Sequence, residues 1–586
     1  MFEEKQKEIS TRVCEALQHM GFADVQSKWS WIPFSGKWGI STSFFEIASV
    51  NVQKYPSFKV NELAADIADR VKDQLGEMEG IERIESVNGY LNFFFDSSLY
   101  ARQVIDFVLS EGELFGRAAS TGKKVMVEFS QPNSLKAFHV GHLRNMVLGA
   151  AVSNLVEAEG NEVIRANYLG DIGLHVITWL WNYLKNHSGE NPPVDMKIKW
   201  MGDLYAEAVK NREESPENEA DVRGLFKRWD ERDEEIVLLW EKTRQWSLDA
   251  FDQVYEKLGI HFDHVYYESE VEEAGKELIN DLINRGLATD ERPEGAVFVD
   301  LDRILATKEE FRVLVLLRSD GTSLYSTKDI PLAIKKFEQY PLDKSIYVVD
   351  VRQSLYLKQI FKILELIGYE WAKNCYHLAY EIVNLPGNVT IASREGTVVL
   401  LEDLLREAEK RALQIVEQKN PDLENEVKKS VAEIVAIGAI KYSLLSRDNT
   451  KIITFDWESA LDVNGQAAPY IQYAAVRANS ILKKVEFLVP KDINTRLELS
   501  SKEVHLIDLI SRVPTEIARA AKDLKPILLA NLVFDIAQAF NDFYNSCPVL
   551  QAEKDVRTFR LRLVAAARQT IINCLAILGI SVPNVM

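Results

Sequence analysis

Positive charge is the first thing in short supply: 69 lysines and arginines face 88 aspartates and glutamates in 586 residues, a formal net charge of −19. Such a chain is not built to coat polyanions without discrimination, because that affinity comes from excess cations along one face. A nucleic-acid partner then requires local basic patches. The candidates are Lys335-Lys336, Arg406 with Lys410 and Arg411, Lys441, Arg447, Lys483-Lys484, and the run Arg557, Arg560, Arg562 and Arg568, although for any single cluster a solvated face is the preferred reading. Cysteine is nearly missing too. Cys14, Cys375, Cys547 and Cys574 lie far apart with no C-x-x-C spacing, which excludes a zinc knuckle or disulfide framework and leaves thiols expected to be buried. No uncharged apolar run approaches membrane-spanning length, and the start Met1-Phe-Glu-Glu-Lys-Gln-Lys has no basic region followed by an apolar one. The expectation is a cytoplasmic protein without membrane association. Internal repeats and low-complexity tracts are absent as well.

What is present is length for several domains and an ordinary globular share of apolar residues, 47%. The most informative stretch is Glu128-Phe-Ser-Gln-Pro-Asn-Ser-Leu-Lys-Ala-Phe-His139-Val-Gly-His142. Before it, Lys123 to Phe129 reads as a short buried strand; after it, Leu143 to Glu159 carries apolar residues at helical spacing, with Gly160 as a stop. The histidines therefore sit at a helix start, where free backbone N–H groups favour anions, and Gly141 leaves room for a flat base. That pattern points to a nucleotide site, although two histidines around a glycine could also cap a helix and no more. Val163 to Leu169 supplies a second strand and completes the βαβ unit of a parallel sheet.

The organisation along the chain follows. Residues 1–115 form an N-terminal α+β domain, with a helix over Val60 to Leu75 and strands over Ile84 to Phe95. Residues 116–400 form a doubly wound parallel-sheet (Rossmann-like) catalytic domain with helical insertions at about 186–250 and 272–322, the sheet resuming from Tyr325 and through Ser345 to Asp350. Residues 401–586 form an all-α helix bundle, since they carry little but helical periodicity. The fold class is α/β.

The wording of the strand–loop–helix stretch resembles the HIGH signature of class I aminoacyl-tRNA synthetases, with His139-Val140-Gly141-His142 at its four positions. Its approach, with Pro132, Asn133, Lys136 and Phe138 in place, resembles that of arginyl-tRNA synthetases in particular. The same family is matched by Asn88-Gly-Tyr-Leu-Asn-Phe93, Gly295-Ala-Val-Phe-Val-Asp300, Thr397-Val-Val-Leu-Leu, Ile437-Gly-Ala-Ile-Lys-Tyr442, Ala468-Pro-Tyr-Ile-Gln-Tyr473 and Ala537 to Tyr544. The resemblance implies ATP-dependent ligation of L-arginine to tRNA(Arg) through arginyl adenylate, with Mg2+ accompanying the triphosphate and bound tRNA needed for activation. A monomer is the default expectation, and no dedicated metal site is expected.

The family's roles fall on these residues. ATP and catalysis are assigned to Lys136, His139, Gly141 and His142, with Ser393 and Arg394 from Thr390-Ile-Ala-Ser-Arg-Glu-Gly396, the counterpart of the Lys-Met-Ser-Lys-Ser loop. Arginine is assigned to Glu128, Asn133, Tyr325, Asp329 and Gln353. The tRNA is assigned to Tyr90, Asn92, Tyr470, Gln472, Tyr473 and Arg477, and the N-terminal domain is implied to touch it. A guanidinium is planar and always ionised, so it needs a carboxylate, and Tyr325 and Asp329 at i, i+4 share one helix face. The bland alternative for Asp329 is an exposed ion pair beside Lys328; for Tyr90 it is burial in a strand core, the reading preferred there.

Four departures from the family pattern stand out. Thr390 occupies the place of the first loop lysine, a loss the family tolerates when a lysine precedes the first histidine, as Lys136 does here. Glu395 replaces a later basic residue; His175 stands for a usual Gln and reads equally as an interior histidine; and Asp350-Val351 replace a usual Gly-Ala pair, adding bulk and negative charge near the nucleotide. These departures motivate an alternative, a catalytically impaired tRNA-binding paralogue. Another class I synthetase is disfavoured, because a neutral substrate has no use for Asp329.

Overall fold

The computed structural model describes residues 2–22, 28–32, 38–385, 389–390, 400–485 and 497–586. They fall into two compact units.

One unit comprises Met1–Phe115, Ala474–Val513 and Leu532–Asn573. Its antiparallel sheet has the order Trp29–Trp31, Gly39–Ser43, Tyr90–Phe95, Ile81–Val87. Strand alternation turns Leu91 and Phe93 into the core, where helix Val60–Leu75 contributes Leu63, Ala64, Ile67, Ala68 and Val71. Tyr90 does not follow them. It opens its strand beside the Asn88–Gly89 turn, stays 47% exposed and meets Phe45 edge-on at 5.3 Å, so the expected burial is corrected. Arg562, a candidate for a surface patch, is buried against Asp106 in this unit.

The other unit comprises Gly116–Tyr473, Pro514–Asn531 and Cys574–Met586 and is built on a parallel sheet of five strands: β1 (Lys124–Glu128), β2 (Glu162–Leu169), β3 (His264–Tyr267), β4 (Lys344–Asp350) and β5 (Cys375–Tyr380). Their order is β5-β4-β1-β2-β3, so the chain winds one way from β1 and later returns to the other side of it through β4. That reversal makes the carboxyl ends of β1 and β4 the place where a ligand crevice opens. Helix α1 (Val140–Ala158) follows β1 and is apolar nearly all round, as a helix enclosed by sheet and other helices must be. It ends before Gly160, whose φ of +84° makes the turn into β2.

The polar stretch after residue 186 forms three helices, Lys197–Glu213, Pro216–Asp230 and Glu234–Lys257, the last two N-capped by Ser215 and Asp233. The second insertion is a helix, Glu272–Asn284, with a three-stranded antiparallel sheet. Sheet was expected again from Tyr325, but Tyr325–Gln339 is a helix, α2, and the parallel sheet resumes only at Lys344. Its start is fixed by hydroxyls: Thr327 Oγ1 accepts from Leu324 N at 2.9 Å, while Ser326 donates to the Val315 carbonyl at 2.6 Å. Helix α3 (Ser354–Leu366) follows β4.

Beyond residue 400 this unit is helical apart from the short strand Ile453–Thr454, which pairs with Val383–Leu385 and departs from the expected all-α bundle; it starts with the packed pair Leu401–Lys419 and Asn425–Leu445. Lys441, another patch candidate, is buried and donates to the Leu258 carbonyl at 2.6 Å. Among the described residues none of the four cysteines forms a disulfide; Cys547 and Cys574 are buried as expected, whereas Cys14 and Cys375 are only half-buried. Among the described residues no helix is long and apolar enough to cross a membrane.

Candidate active site

The loop between β1 and α1 is held in a costly shape. Ser130, Gln131 and Leu135 all have positive φ (78°, 50° and 62°), which non-glycine residues adopt only when their surroundings over-determine it. Here Asn145 Oδ1 accepts from Ser130 N at 2.5 Å, Asn167 Oδ1 from Gln131 N at 3.1 Å and Ser247 Oγ from Leu135 N at 3.0 Å. The loop also passes against Gly170 at the end of β2, where an added Cβ would lie 2.5 Å from Asn133 Oδ1.

At the start of α1 the histidines do cap the helix. His139 Nδ1 accepts from Gly141 N at 3.1 Å, and His142 Nδ1 accepts from His139 N at 3.2 Å. Both rings therefore carry their proton on Nε2. Burial pushes both below the usual imidazole range, His142 strongly, so at neutral pH they are neutral N–H donors and not the cations the sequence allowed. They line a cavity of about 410 Å³ with Gly141, Arg144, Asn145, Asp350, Arg352 and Tyr380.

Asp350 adds no uncompensated negative charge to that cavity. Its carboxylate takes Nε and Nη2 of Arg352 at 2.8 and 3.0 Å, and hydrogen bonds from Arg352 hold it below the usual carboxylate range. One of the motives for an impaired paralogue is thereby removed. Lys136 is not in this cavity: its ammonium lies 5.0 Å over the Tyr205 ring and lines a separate space with His175, Tyr205, Tyr325 and Lys328. His175 is not a satisfied interior histidine: it is half-buried, its Nε2 is shielded without a partner, and burial pushes its pKa down to about 3.

The residues expected to hold arginine come together. Glu128, Asn133, Tyr325, Asp329 and Gln353 line one cavity of about 360 Å³, with Tyr168, Glu268, Tyr347 and Tyr356. It shares Gln131 and Val349 with the histidine cavity, so the two adjoin at the ends of β1 and β4. Three carboxylates face it, and two are matched: Glu128 pairs with buried Lys336, and Glu268 with buried Lys328. The third, Asp329, has no ammonium partner. Its Oδ2 accepts from Tyr356 Oη at 2.6 Å, while its Oδ1 is buried with no hydrogen-bond partner. Desolvation raises the Asp329 carboxyl to about 6 and the Glu268 carboxyl to about 7. The exposed-ion-pair reading of Asp329 fails, because Lys328 turns to Glu268 instead.

Sequence reasoning missed Glu268, Tyr168 and Tyr356 in the lining of this cavity, and Lys336 as the buried partner of its Glu128. Lys336 was counted as a surface cation but is fully buried; its place seven residues after Asp329, two helical turns on, was the available signal. Glu268 follows the carboxyl end of β3, where ligand-facing residues of such sheets emerge. Elsewhere, Tyr473 is 38% exposed and Arg477 stacks on Tyr544 at 5.1 Å, with Tyr470 and Asn92 half-buried. Gln472 is fully buried, and its amide donates to the Ser581 carbonyl at 2.7 Å. Direct contact of Gln472 with tRNA is therefore corrected to a packing role. Ser393, Arg394 and Glu395 lie outside the described residues.

A parallel sheet with paired histidines at the start of its first helix is the arrangement of the class I aminoacyl-tRNA synthetases. Accordingly, residues 104–457 match the family model described as tRNA synthetases class I (R), catalytic domain, and residues 471–586 match the DALR anticodon binding domain. The arginine–tRNA ligase of Clostridium botulinum (strain Alaska E43 / Type E3) is 34% identical over 541 residues, covering 91% of this chain and 93% of that one. The arginine–tRNA ligase of Clostridium perfringens (strain 13 / Type A) is 35% identical over 546 residues, 92% and 93% of the two chains. The Thermus thermophilus arginyl-tRNA synthetase structure superposes with a TM-score of 0.79 at 27% identity, covering 99% of this chain and 100% of that one. The chain belongs to the arginine–tRNA ligase family.

Proposed function

We propose that this chain activates L-arginine with ATP and transfers it to tRNA(Arg). The arginine carboxylate attacks the α-phosphorus of ATP in line and pyrophosphate leaves; the terminal ribose hydroxyl of the tRNA then attacks the adenylate carbonyl, and AMP leaves. The protein's task in both steps is positioning and charge stabilisation. Asp329 receives the guanidinium, Tyr325 walls the slot, and Glu128, Asn133 and Gln353 hold the remaining charged and polar ends. The Nε2–H groups of His139 and His142 donate to the nucleotide beside Gly141. Lys136 acts from the neighbouring space, and Ser393 and Arg394 from the loop after β5. Mg2+ enters with the triphosphate, coordinated chiefly by phosphate oxygens and water.

Residues 1–115 and the helices after residue 400 contact the tRNA, through Tyr90 and Asn92 in the first region and Tyr470, Tyr473 and Arg477 in the second. The chain works as a cytoplasmic monomer.

The observation that carries this reading is the unmatched third carboxylate: a cavity with one more buried anion than cation calls for a cationic ligand, and Asp329 Oδ1 awaits a donor. The test is exchange of labelled pyrophosphate into ATP with tRNA(Arg) present. Exchange should require arginine and should fall roughly 100-fold or more in His142→Ala. Retained tRNA binding with no arginine-dependent exchange would establish the impaired paralogue instead.

A further inference from the structure

The histidine cavity is poor in usable positive charge. Its histidines are neutral, and Lys136 lines a different space. Arg144 is committed: its guanidinium serves the carbonyls of Glu381, Ile382, Asn449 and Lys451. Among the described lining residues one other cation remains, Arg352.

Arg352 is placed for service there. It sits in the short turn Val351–Gln353 at the carboxyl end of β4, and its side chain keeps 68% of its exposure. Its fork grips both oxygens of Asp350, a planar two-point geometry that a phosphate also offers. Asp350 is anchored separately, its Oδ1 accepting from Arg352 N at 2.9 Å as the cap of the turn. The guanidinium can thus leave without dismantling the turn, and exchanging one anion for another in a partly exposed position costs little.

We propose that Arg352 is a triphosphate-binding residue: when ATP enters, its guanidinium passes from Asp350 to the phosphate oxygens, as the one uncommitted cation among the described lining residues. The inference rests on the ATP-dependent reading above and deepens it. The Asp350–Arg352 pair, which as sequence looked like a liability at the nucleotide, then serves as the parking place of the cation.

The test combines equilibrium binding of a non-hydrolysable ATP analogue with ATP and arginine KM values from pyrophosphate exchange in Arg352→Ala, Arg352→Lys and Asp350→Asn. Loss of a charge-assisted contact to phosphate should weaken analogue binding and raise the ATP KM by roughly 10-fold or more in Arg352→Ala, with the arginine KM nearly unchanged. Arg352→Lys should recover part of the loss, since it keeps the charge and gives up the fork. Asp350→Asn retains a capping side chain and releases the guanidinium, so it should bind the analogue as tightly as the parent or more so. Wild-type analogue affinity in Arg352→Ala would overturn the proposal. So would equal losses in Arg352→Ala and Asp350→Asn, which would mean that the pair only holds the turn. A parent protein without arginine-dependent exchange would sink the ligase reading instead, and the two failures are thereby told apart.

Discussion

Asp329→Asn is the most exacting perturbation, because it should move binding and stability in opposite directions. Asp329 is half-buried with its Oδ1 shielded from solvent, has one hydroxyl donor and no ammonium, and its carboxyl is raised from 3.8 to about 6 by desolvation. Without ligand, its charge works against the fold at neutral pH. A folded-state pKa raised by about two, at about 1.4 kcal/mol per pKa unit, corresponds to a cost on the order of 3 kcal/mol. The neutral amide removes that cost, so the free variant should melt at a higher temperature. With arginine bound the sign reverses: the guanidinium faces an amide where it should face a carboxylate, and breaking such a buried pair costs about 3–5 kcal/mol. The arginine KM should therefore rise roughly 100-fold or more, since about 1.4 kcal/mol is a factor of ten. The assay is pyrophosphate exchange over an arginine titration, paired with thermal melts at increasing arginine. Arginine should raise the melting temperature of the parent and leave that of the variant nearly unmoved. An arginine KM within threefold of the parent would refute the assignment of the guanidinium to Asp329, whatever the melts show.

Two further outcomes follow from the same cavity. Acidification should weaken arginine binding, because the carboxyls of Glu268 and Asp329, raised to about 7 and about 6, gain protons as pH falls through those values while the guanidinium stays charged. Their effect on the free fold has the opposite sense: raised acids favour the folded state most below their unfolded pKa, and that support is lost as pH climbs through about 6 to 7. A flat arginine KM between about pH 8 and pH 5.5 would contradict the assignment of the guanidinium to Asp329. Lys336→Met leaves Glu128 buried without its ammonium and should cost about 3–5 kcal/mol of stability, read as a lower thermal midpoint. Adding Glu128→Gln should restore much of it; a Lys336→Met protein that melts like the parent would show that Glu128 is already solvated.

The strand–loop–helix from Lys124 to Ala158 was legible because its signals are local: an apolar run, a loop, a helical period and a glycine stop. The arginine cavity was half legible. Tyr325 and Asp329 declared themselves through helical spacing, but Glu268 and Lys336 join the site only through the β5-β4-β1-β2-β3 strand order, which no window of sequence contains. Charge alone misled at Lys336, Lys441 and Arg562, where a carboxylate or carbonyls, and not solvent, receive the cation. The Tyr325 segment was legible only in part: its i, i+4 spacing fits the helix that forms, whereas sheet was expected to resume there, because the Ser326 and Thr327 hydroxyls that tie the helix start to a neighbouring strand bond to carbonyls eleven residues earlier.

The same strand order sets a condition on synthesis. Lys336, just ahead of β4, lies 208 positions after its partner Glu128 on β1. At a ribosomal pace of roughly 5–20 residues per second, that separation is on the order of 10–40 s during which the buried central strand has one neighbour and a bare edge. For that interval the nascent chain carries an apolar template for wrong pairing. Its yield in the cell should therefore depend on holding chaperones more than the stability of the finished fold suggests.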